Sequence, residues 1–237
     1  MQKRQYKVSI IIPIYNEEKT IIEILESVNN QKIDSVEFEI IVIDDGSEDN
    51  SLKILHEHKE MYSKLIESKQ NKGKGNAVRE GLKVATGDYV LFQDADLEYD
   101  PNDYINILLP MKKFNADLVM GSRLIAPPLV RVHYLWNKIG NQFITAIFNF
   151  LNNTTFTDIY TGYLLFRRDL IDPNKLRTNG WEQQAEILSK IVRDSKVYYE
   201  VPISYYGRTY EEGKKIKPKH VLKIITTIIK ERIFSSQ

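Results

Sequence analysis

Residues 89–101 read YVLFQDADLEYDP, and this stretch decides how the rest of the chain is interpreted. Its first four side chains are aromatic or branched and apolar, which predicts a short strand buried on both faces. An acidic run follows, with Asp94, Asp96 and Glu98 at alternate positions. Residues two apart in an extended segment share a face, roughly 6–7 Å from each other. We therefore expect Asp94 and Asp96 to project together from the carboxyl end of a buried strand.

Two carboxylates at this place predict a site for a divalent cation. Ligands of open α/β sheets bind at the carboxyl ends of the strands. Like charges there repel each other unless a cation lies between them. Mg²⁺ or Mn²⁺ suits carboxylate oxygens and usually takes one or two of them together with substrate phosphates. The alternative for an isolated D-x-D is an acidic loop before a helix, and Asp100 followed by Pro101 matches such a helix start.

Composition limits the classes of protein that the chain can represent. Its 237 residues are enough for one large α/β domain or two small ones. Lys and Arg total 33 against 32 for Asp and Glu, which argues against a nucleic-acid binder. The absence of cysteine excludes disulfides, thiolate zinc sites and a cysteine nucleophile. No run approaches the roughly 18 apolar residues that span a bilayer, so we expect a cytoplasmic protein.

The first hundred residues alternate between strand and helix patterns. Branched apolar runs at 8–14 and 38–43, and a weaker one at 64–67, precede the strand at 89–92. Asn16 is expected to cap the first helix, whose apolar face has i, i+3, i+4, i+7 spacing. Short connections between such units predict a Rossmann-like, mostly parallel sheet flanked by helices.

The loops at the carboxyl edge of this sheet carry polar and glycine residues. They are 13–17 (PIYNE), 44–47 (DDGS), 71–77 (NKGKGNA) and 93–96 (QDAD). Backbone N–H groups of the glycine loop, with Lys74, suit a diphosphate. The first turn lacks G-x-G-x-x-G, and the glycine loop lacks the P-loop spacing, which argues against a dehydrogenase or a P-loop ATPase. A nucleotidyltransferase would normally have G-x-G-T-R after the first strand, where this chain has Pro13 to Asn16.

Several ordered motifs resemble the family-2 glycosyltransferases of the GT-A fold. The closest branch is the dolichyl-phosphate mannose and glucose synthases and their bacterial polyprenyl-phosphate relatives. The motifs are 8–18 (VSIIIPIYNEE), 40–49 (IIVIDDGSED), 71–81 (NKGKGNAVREG), 87–101 (GDYVLFQDADLEYDP), 116–123 (ADLVMGSR), 157–163 (TDIYTGY) and 201–205 (VPISY). The resemblance implies one GT-A domain over 1–213, with a nucleotide-sugar half (1–100) and an acceptor half (101–213), followed by a basic amphipathic tail (214–237).

The resemblance also implies roles for particular residues. It places Asp94, Asp96 and Glu98 at the metal and diphosphate, although Glu98 has the alternative of a solvated charge at a helix entry. Glu182 is a further site candidate near the donor sugar, with packing or capping as its alternative. The implied donor-binding residues are Pro13, Tyr15, Glu17, Asp45, Lys74 and Asp94.

The second half of the chain is expected to bind the acceptor. Arg123, Arg131 and Arg208 lie in loop-like stretches, and the planar fork of arginine suits a phosphate. Arg208 and Asp96 are also predicted to be catalytic. Asp158 is the candidate base or acceptor-positioning group, and its alternative is an Asx-turn. A hydroxyl acceptor needs such a base, whereas a phosphate monoester is already largely ionised at pH 7.

These features predict an inverting, metal-dependent enzyme. It would move glucose or mannose from UDP-glucose or GDP-mannose to a dolichyl or undecaprenyl phosphate. The alternatives are a saccharide hydroxyl as acceptor, or a binding module without turnover. The apolar positions of 139–151 and the cationic tail predict a peripheral contact with the inner face of the membrane. A tail helix packed back on the domain is the other possibility.

Overall fold

The fold was examined in a computed structural model, which describes residues 5–126, 128–132, 134–208 and 219–234. The predicted tail at 214–237 therefore lies partly outside the described residues, and so does its boundary with the domain at residue 213. That division stays a prediction.

One seven-stranded sheet runs through the molecule in the order β3-β2-β1-β4-β6-β5-β7. Its neighbouring strands are parallel except where β6 pairs antiparallel with β4 and with β5. The expectation of a mostly parallel sheet is confirmed. The strands are β1 (Tyr6–Ile14), β2 (Val36–Asp44), β3 (Lys64–Glu67), β4 (Tyr89–Phe92), β5 (Leu118–Ser122), β6 (Leu164–Arg167) and β7 (Tyr198–Pro202).

Helices cover both faces of the sheet because the central strands are apolar on both sides. In β1, Ile10 and Ile12 belong to one buried cluster with α1 and α4, while Ile11 belongs to another with α3 and α6. All four residues of β4 are buried, as predicted. The helices are α1 (Ile21–Asn29), α2 (Ser51–Glu57), α3 (Lys74–Val84), α4 (Tyr104–Phe114), α5 (Leu135–Asn152), α6 (Gln183–Asp194) and α7 (Lys219–Phe234).

Two local predictions about the carboxyl edge are wrong. Asn16 does not cap α1, because the helix begins at Ile21 and Thr20 occupies the N-cap position. Asn16 instead adopts a positive φ of 55° and its side-chain oxygen accepts from the Glu48 amide at 2.8 Å. The segment after β4 is not extended either, since it turns at Ala95–Asp96 and Leu97 has a φ of 60°. The two aspartates therefore meet across a turn.

The last described helix, α7, packs against α5 and α6 rather than standing apart from the domain. Ile224 and Ile228 are buried in the same cluster as α6. Lys190 of α6 donates to Glu231 of α7 at 2.9 Å. Among the described residues, no helix is both long and apolar enough to cross a bilayer.

Candidate active site

Two adjoining cavities open at the carboxyl ends of β1, β2 and β4. The first cavity is lined by all six predicted donor-binding residues, Pro13, Tyr15, Glu17, Asp45, Lys74 and Asp94. The second cavity lies towards β5 and α6, and Arg123, Tyr205 and Arg208 are part of its wall. Five residues line both, and they are Lys74, Asp94, Asp96, Gly180 and Trp181. A ligand crossing from one cavity to the other must pass this shared border.

Asp45 holds the glycine loop against the end of β2. Its carboxylate accepts from the Lys72 amide at 3.1 Å and from the Gly73 amide at 2.7 Å. Burial raises the pKa of Asp45, and these two amides oppose that rise. Gly73 has a φ of 98°, and a Cβ there would lie 2.6 Å from the Asn179 carbonyl oxygen, so only glycine fits. The loop thereby brings Lys74 to the border of the two cavities.

The two aspartates of the D-x-D sequence differ in their surroundings. Lys74 forms an ion pair with the carboxylate of Asp94. Among the described residues Asp96 forms no such ion pair, and burial, together with the charges of Asp94 and Glu98, raises its pKa to about 7. Arg208 stabilises the turn by donating to the Asp96 carbonyl oxygen at 2.7 Å. The site thus concentrates negative charge where a cation or a basic side chain is favoured.

Asp94 and Asp96 fit a magnesium or manganese ion that also binds the phosphates of a substrate. The described part of the chain holds no group of three or more His, Cys, Asp or Glu residues able to bind a metal. One or two carboxylates are nevertheless the usual protein share of such a site. Burial and the neighbouring charge of Asp94 both disfavour ionised Asp96, and a divalent cation bound there would offset that cost.

Glu98 lines the second cavity beside this pair, and its predicted role as a metal ligand stays a prediction. One carboxylate oxygen of Glu98 accepts from the Tyr205 hydroxyl at 2.7 Å, and the other accepts from the Arg208 amide at 2.6 Å. Both oxygens are therefore used to fasten the segment after β7 to the D-x-D turn. These bonds give Glu98 a structural role in positioning Arg208.

Arg123 and Asp158 form a buried ion pair beside the second cavity. Asp158 is fully buried, and its two oxygens accept from Arg123 Nε at 2.7 Å and Nη2 at 2.8 Å. Asn141 adds a third bond at 2.6 Å. Burial alone would raise the pKa of Asp158, but Arg123 holds it below its usual value. Asp158 is thus an ionised anchor for Arg123, and its role as a base or acceptor-positioning group stays a prediction.

The three predicted acceptor arginines are not all brought together. Arg123 and Arg208 line the second cavity. Arg131 is not part of either cavity wall, and its Nη1 donates to the Gly207 carbonyl oxygen at 3.3 Å beside an exposed apolar segment. Glu182, the further candidate near the sugar, is likewise not part of either cavity wall. The next two residues, Gln183 and Gln184, line the second cavity instead.

Trp181 and Tyr205 are among the aromatic side chains of the site, and no site role was predicted for either. Trp181 lies on the shared border, with Lys74 Nζ 5.5 Å from the centre of its ring. Tyr205 lies 4.9 Å below the Arg123 guanidinium and bonds to Glu98. Trp181 could have been detected from the sequence, because it is a tryptophan that follows a glycine in the polar run 178–184. Tyr205 is detected only through its partners, which are distant in sequence.

The sequence matches that of a known family. Residues 9–173, well over half of the chain, match the sequence pattern of the family described as glycosyl transferase family 2. The chain belongs to glycosyl transferase family 2. The predicted family and enzyme class are thereby confirmed, and both cavities of this glycosyltransferase are shaped in large part by residues within the matched region.

Two curated relatives are similar over most of this glycosyltransferase. The UDP-N-acetylglucosamine–dolichyl-phosphate N-acetylglucosaminyltransferase of Methanococcus voltae is 30% identical over 224 residues, which are 86% of this chain and 88% of that protein. The dolichol-phosphate mannosyltransferase of Pyrococcus furiosus is 29% identical over 225 residues. Those residues are 94% of this chain but only 62% of that longer relative.

Solved structures confirm the fold. Glucosyl-3-phosphoglycerate synthase from Mycobacterium tuberculosis, in complex with Mn²⁺, UDP and phosphoglyceric acid, has a TM-score of 0.72 at 18% identity. The match covers 96% of this glycosyltransferase and 79% of that chain. At this identity the likeness shows the fold alone, which is the predicted GT-A arrangement of a mixed sheet flanked by helices.

Proposed function

We propose that this glycosyltransferase moves a hexose from a nucleotide sugar to a polyprenyl phosphate, with inversion at the anomeric carbon. The observation that carries the proposal is the pair of cavities with a shared border at Lys74, Asp94 and Asp96. The first cavity would take the nucleoside, the border the diphosphate, and the second cavity the sugar and the acceptor phosphate. The order of these parts matches the order of groups along the substrates.

The reaction needs no proton acceptor on the protein. An oxygen of the acceptor phosphate attacks the anomeric carbon while the bond from that carbon to the donor diphosphate breaks, which yields a sugar phosphodiester and a nucleoside diphosphate. A phosphate monoester is already ionised, with a second pKa near ~6. This agrees with the position of Asp158, whose carboxylate oxygens are bonded to Arg123 and Asn141.

Departure of the diphosphate requires stabilisation of its charge. Lys74 lies at the border and can donate to a phosphate oxygen, and the adjacent glycine loop presents backbone N–H groups. Asp94 and Asp96 would hold Mg²⁺ or Mn²⁺, which when bound stabilises the negative charge of the leaving group. The shared charge of the two carboxylates is otherwise unfavourable for binding a diphosphate.

Two arginines favour a phosphate as the acceptor. Arg123 uses Nε and Nη2 to bond to Asp158, and Arg208 uses Nε and Nη2 to bond to the Asp96 carbonyl. The Nη1 groups take no part in these bonds and are held by rigid neighbours. Guanidinium N–H groups fixed in this way are well suited to phosphate oxygens.

A surface beside the second cavity favours a lipid. Leu129 and Arg131 are bonded through their backbones to Tyr205, which is part of the cavity wall. From there the apolar surface continues along α5, and its exposed members are Leu129, Val132, Leu135, Trp136, Ile139 and Phe143. Both curated relatives carry dolichyl or dolichol phosphate in their names. A bilayer contact here would bring the acceptor phosphate to Arg123.

The test is a donor and acceptor screen with the whole chain in Mn²⁺. UDP-glucose, UDP-N-acetylglucosamine and GDP-mannose are each supplied with a short polyprenyl phosphate or a free saccharide, and the released nucleoside diphosphate and the glycosylated product are measured. We expect product on the lipid phosphate, lost by at least 100-fold on Asp96→Ala. Transfer only to the saccharide would overturn the acceptor, and binding without turnover would overturn the enzymatic proposal.

A further inference from the structure

Three buried polar atoms in the described part of the chain have no hydrogen-bond partner. They are Asn141 Oδ1, Gln183 Nε2 and Ser189 Oγ. Of these three residues, Gln183 is the one that lines a cavity, the second cavity of the active site. Buried polar groups are almost always bonded, and a group left without a partner at a binding site indicates a ligand that supplies it.

The position of Gln183 is fixed by its neighbours. It is the first residue of α6 and is only 4% exposed. Its backbone N–H donates to the Gly180 carbonyl oxygen at 3.2 Å. Its Cβ lies so close to α3 that a Cβ added to Gly75 would approach it to 2.8 Å. The side chain is thereby held between α3 and the cavity that Gln183 lines.

The surrounding wall explains what Gln183 would meet. The neighbouring Gln184 side chain is already used, because it donates to the carbonyl oxygens of Ile159 and Thr161. Gly162 faces the same cavity, and a Cβ there would lie 2.9 Å from Asp94 Oδ2. A sugar attached to a diphosphate at the Asp94 border has to extend into this space.

We infer that Gln183 is a specificity-determining residue that hydrogen-bonds an oxygen of the donor hexose. The inference rests on the proposed function, since it requires a nucleotide sugar across the two cavities. A carboxamide can donate to a hydroxyl or an acetamido oxygen and can also accept from a hydroxyl. A site built to bond such a group rejects analogues that lack it or place it elsewhere. Gln183 thereby distinguishes hexoses that share the same nucleotide.

The experiment compares Gln183→Met with Ser189→Ala. Both substitutions remove an unpartnered polar group from α6, but Ser189 is not part of either cavity wall. The donors are UDP-glucose, UDP-N-acetylglucosamine and GDP-mannose with Mn²⁺, and UDP and GDP are titrated alone. Gln183→Glu serves as a second variant, because it keeps the shape of the side chain and removes the N–H donor.

We expect Gln183→Met and Gln183→Glu to lower kcat/KM for the preferred donor about tenfold or more. The ratio of kcat/KM between the preferred donor and the other donors should fall as well. Affinity for the matching nucleoside diphosphate alone should stay within twofold, and Ser189→Ala should change neither quantity. Unchanged donor preference in both Gln183 variants would overturn the assignment while leaving the proposed function intact. A wild-type protein that uses none of the donors would instead overturn the proposed function, and this assignment with it.

Discussion

The Arg123–Asp158 pair fixes the guanidinium that we propose binds the acceptor phosphate in the second cavity. Two opposite charges in a buried place depend on each other, because loss of one leaves the other unpaired in a medium of low dielectric. Tyr205 lies under the guanidinium and Asn141 supports the carboxylate, so the arginine has one favoured position. Preorganisation of this kind lowers the cost of ordering a charged side chain on binding.

The first prediction concerns Asp158→Asn. A positioning role predicts that KM for the polyprenyl phosphate rises about tenfold or more while kcat falls less, because Arg123 loses its anchor but the ionised acceptor needs no base. The unpaired arginine should also lower the free energy of unfolding by about 3 kcal/mol. Steady-state kinetics with varied acceptor, and urea denaturation, measure both effects. A large loss of kcat at unchanged KM would instead support Asp158 as the base.

The second prediction concerns Lys74, which pairs with Asp94 and lies over Trp181. Lys74→Gln removes the cation that we propose binds the donor diphosphate, so we expect affinity for UDP or GDP in Mn²⁺ to fall about tenfold. Isothermal titration calorimetry measures this change. Lys72→Gln is the matched control, because it makes the same charge change in the same loop while the Lys72 backbone amide still bonds to Asp45. Equal losses in the two variants would show a general charge effect only.

At the level of elements, Glu39 of β2 ties three strands together. Its carboxylate accepts from Ser9 of β1 at 2.6 Å and from Lys64 of β3 at 2.9 Å, and the Thr86 amide before β4 donates at 2.8 Å. Burial would raise the pKa of Glu39, but these bonds lower it to about 2. Ionised Glu39 therefore favours the folded state.

The third prediction follows from this lowered pKa. Stability from ionised Glu39 is fully present above the unfolded pKa of about 4.5 and is lost as the pH falls towards 2. A difference of roughly 2.5 pKa units corresponds to about 3 kcal/mol at most. Glu39→Gln should therefore lower the free energy of unfolding by about 2–3 kcal/mol at pH 7. The loss should become progressively smaller below pH 4.5. Urea denaturation across this range checks it, and a loss independent of pH would contradict it.

A second tie between elements runs through α6. Lys190 lies 3.6 Å from the fully buried Glu186 and 2.9 Å from Glu231 of α7. Glu186 in turn accepts from the backbone amides of Arg177 and Thr178, shortly before Trp181. The packing of α7 and the chain segment that leads to the cavity border therefore both depend on Lys190, whose side chain is only 13% exposed.

The fourth prediction is that Lys190→Met destabilises both connections. Two buried carboxylates would lose their shared partner, so we expect unfolding to become easier by about 3 kcal/mol. Hydrogen exchange should increase in α7 and in 177–180, while thermal denaturation reports the global loss. Lys223→Met, on the exposed part of α7, is the control and should change stability by less than ~0.5 kcal/mol. Faster exchange confined to α7 would show that the segment 177–180 is held independently.

Elements with local signals were predictable, and those defined by distant partners were not. The first four strands were found because their apolar runs and turn residues lie together in sequence. The antiparallel direction of β6 was not predicted, since a short run such as LLFR carries no record of its neighbours. In the site, Lys74 and the D-x-D pair have local signatures. The bonds that Asp158 and Glu98 make could not be predicted, because their partners lie 35 and more than 100 residues away.

At the scale of the whole molecule, apolar side chains before and along α5 stay exposed to solvent instead of packing into the core. Val132 is 95% exposed and Trp136 is 79% exposed. Trp136, Ile139 and Phe143 follow one side of the helix, and Arg131 and Lys138 lie exposed among them. Aromatic and basic side chains of this kind suit the interface of an anionic bilayer. Ile224 and Ile228 of α7 are buried within the domain, so α7 has less apolar surface for contact with a bilayer.

The fifth prediction tests this surface with vesicles of phosphatidylcholine and phosphatidylglycerol. Leu135→Ser combined with Trp136→Ser should lower the fraction of protein that sediments with vesicles about tenfold, because each buried apolar side chain contributes about 1.5–3 kcal/mol. Kinetics with a short, water-soluble polyprenyl phosphate should stay near wild type, since neither residue is part of a cavity wall. A long-chain acceptor presented in vesicles should be used more slowly.

The control for this experiment is Ile105→Ser combined with Leu109→Ser on α4, which removes two similarly exposed apolar side chains from another helix. It should leave sedimentation unchanged if the surface at α5 is the one that meets the bilayer. Arg131→Gln combined with Lys138→Gln should weaken binding in low salt more than in high salt, because the attraction of basic side chains to anionic lipid is screened. Equal losses from the α4 and α5 pairs would mean that exposed apolar area, rather than this surface, determines sedimentation.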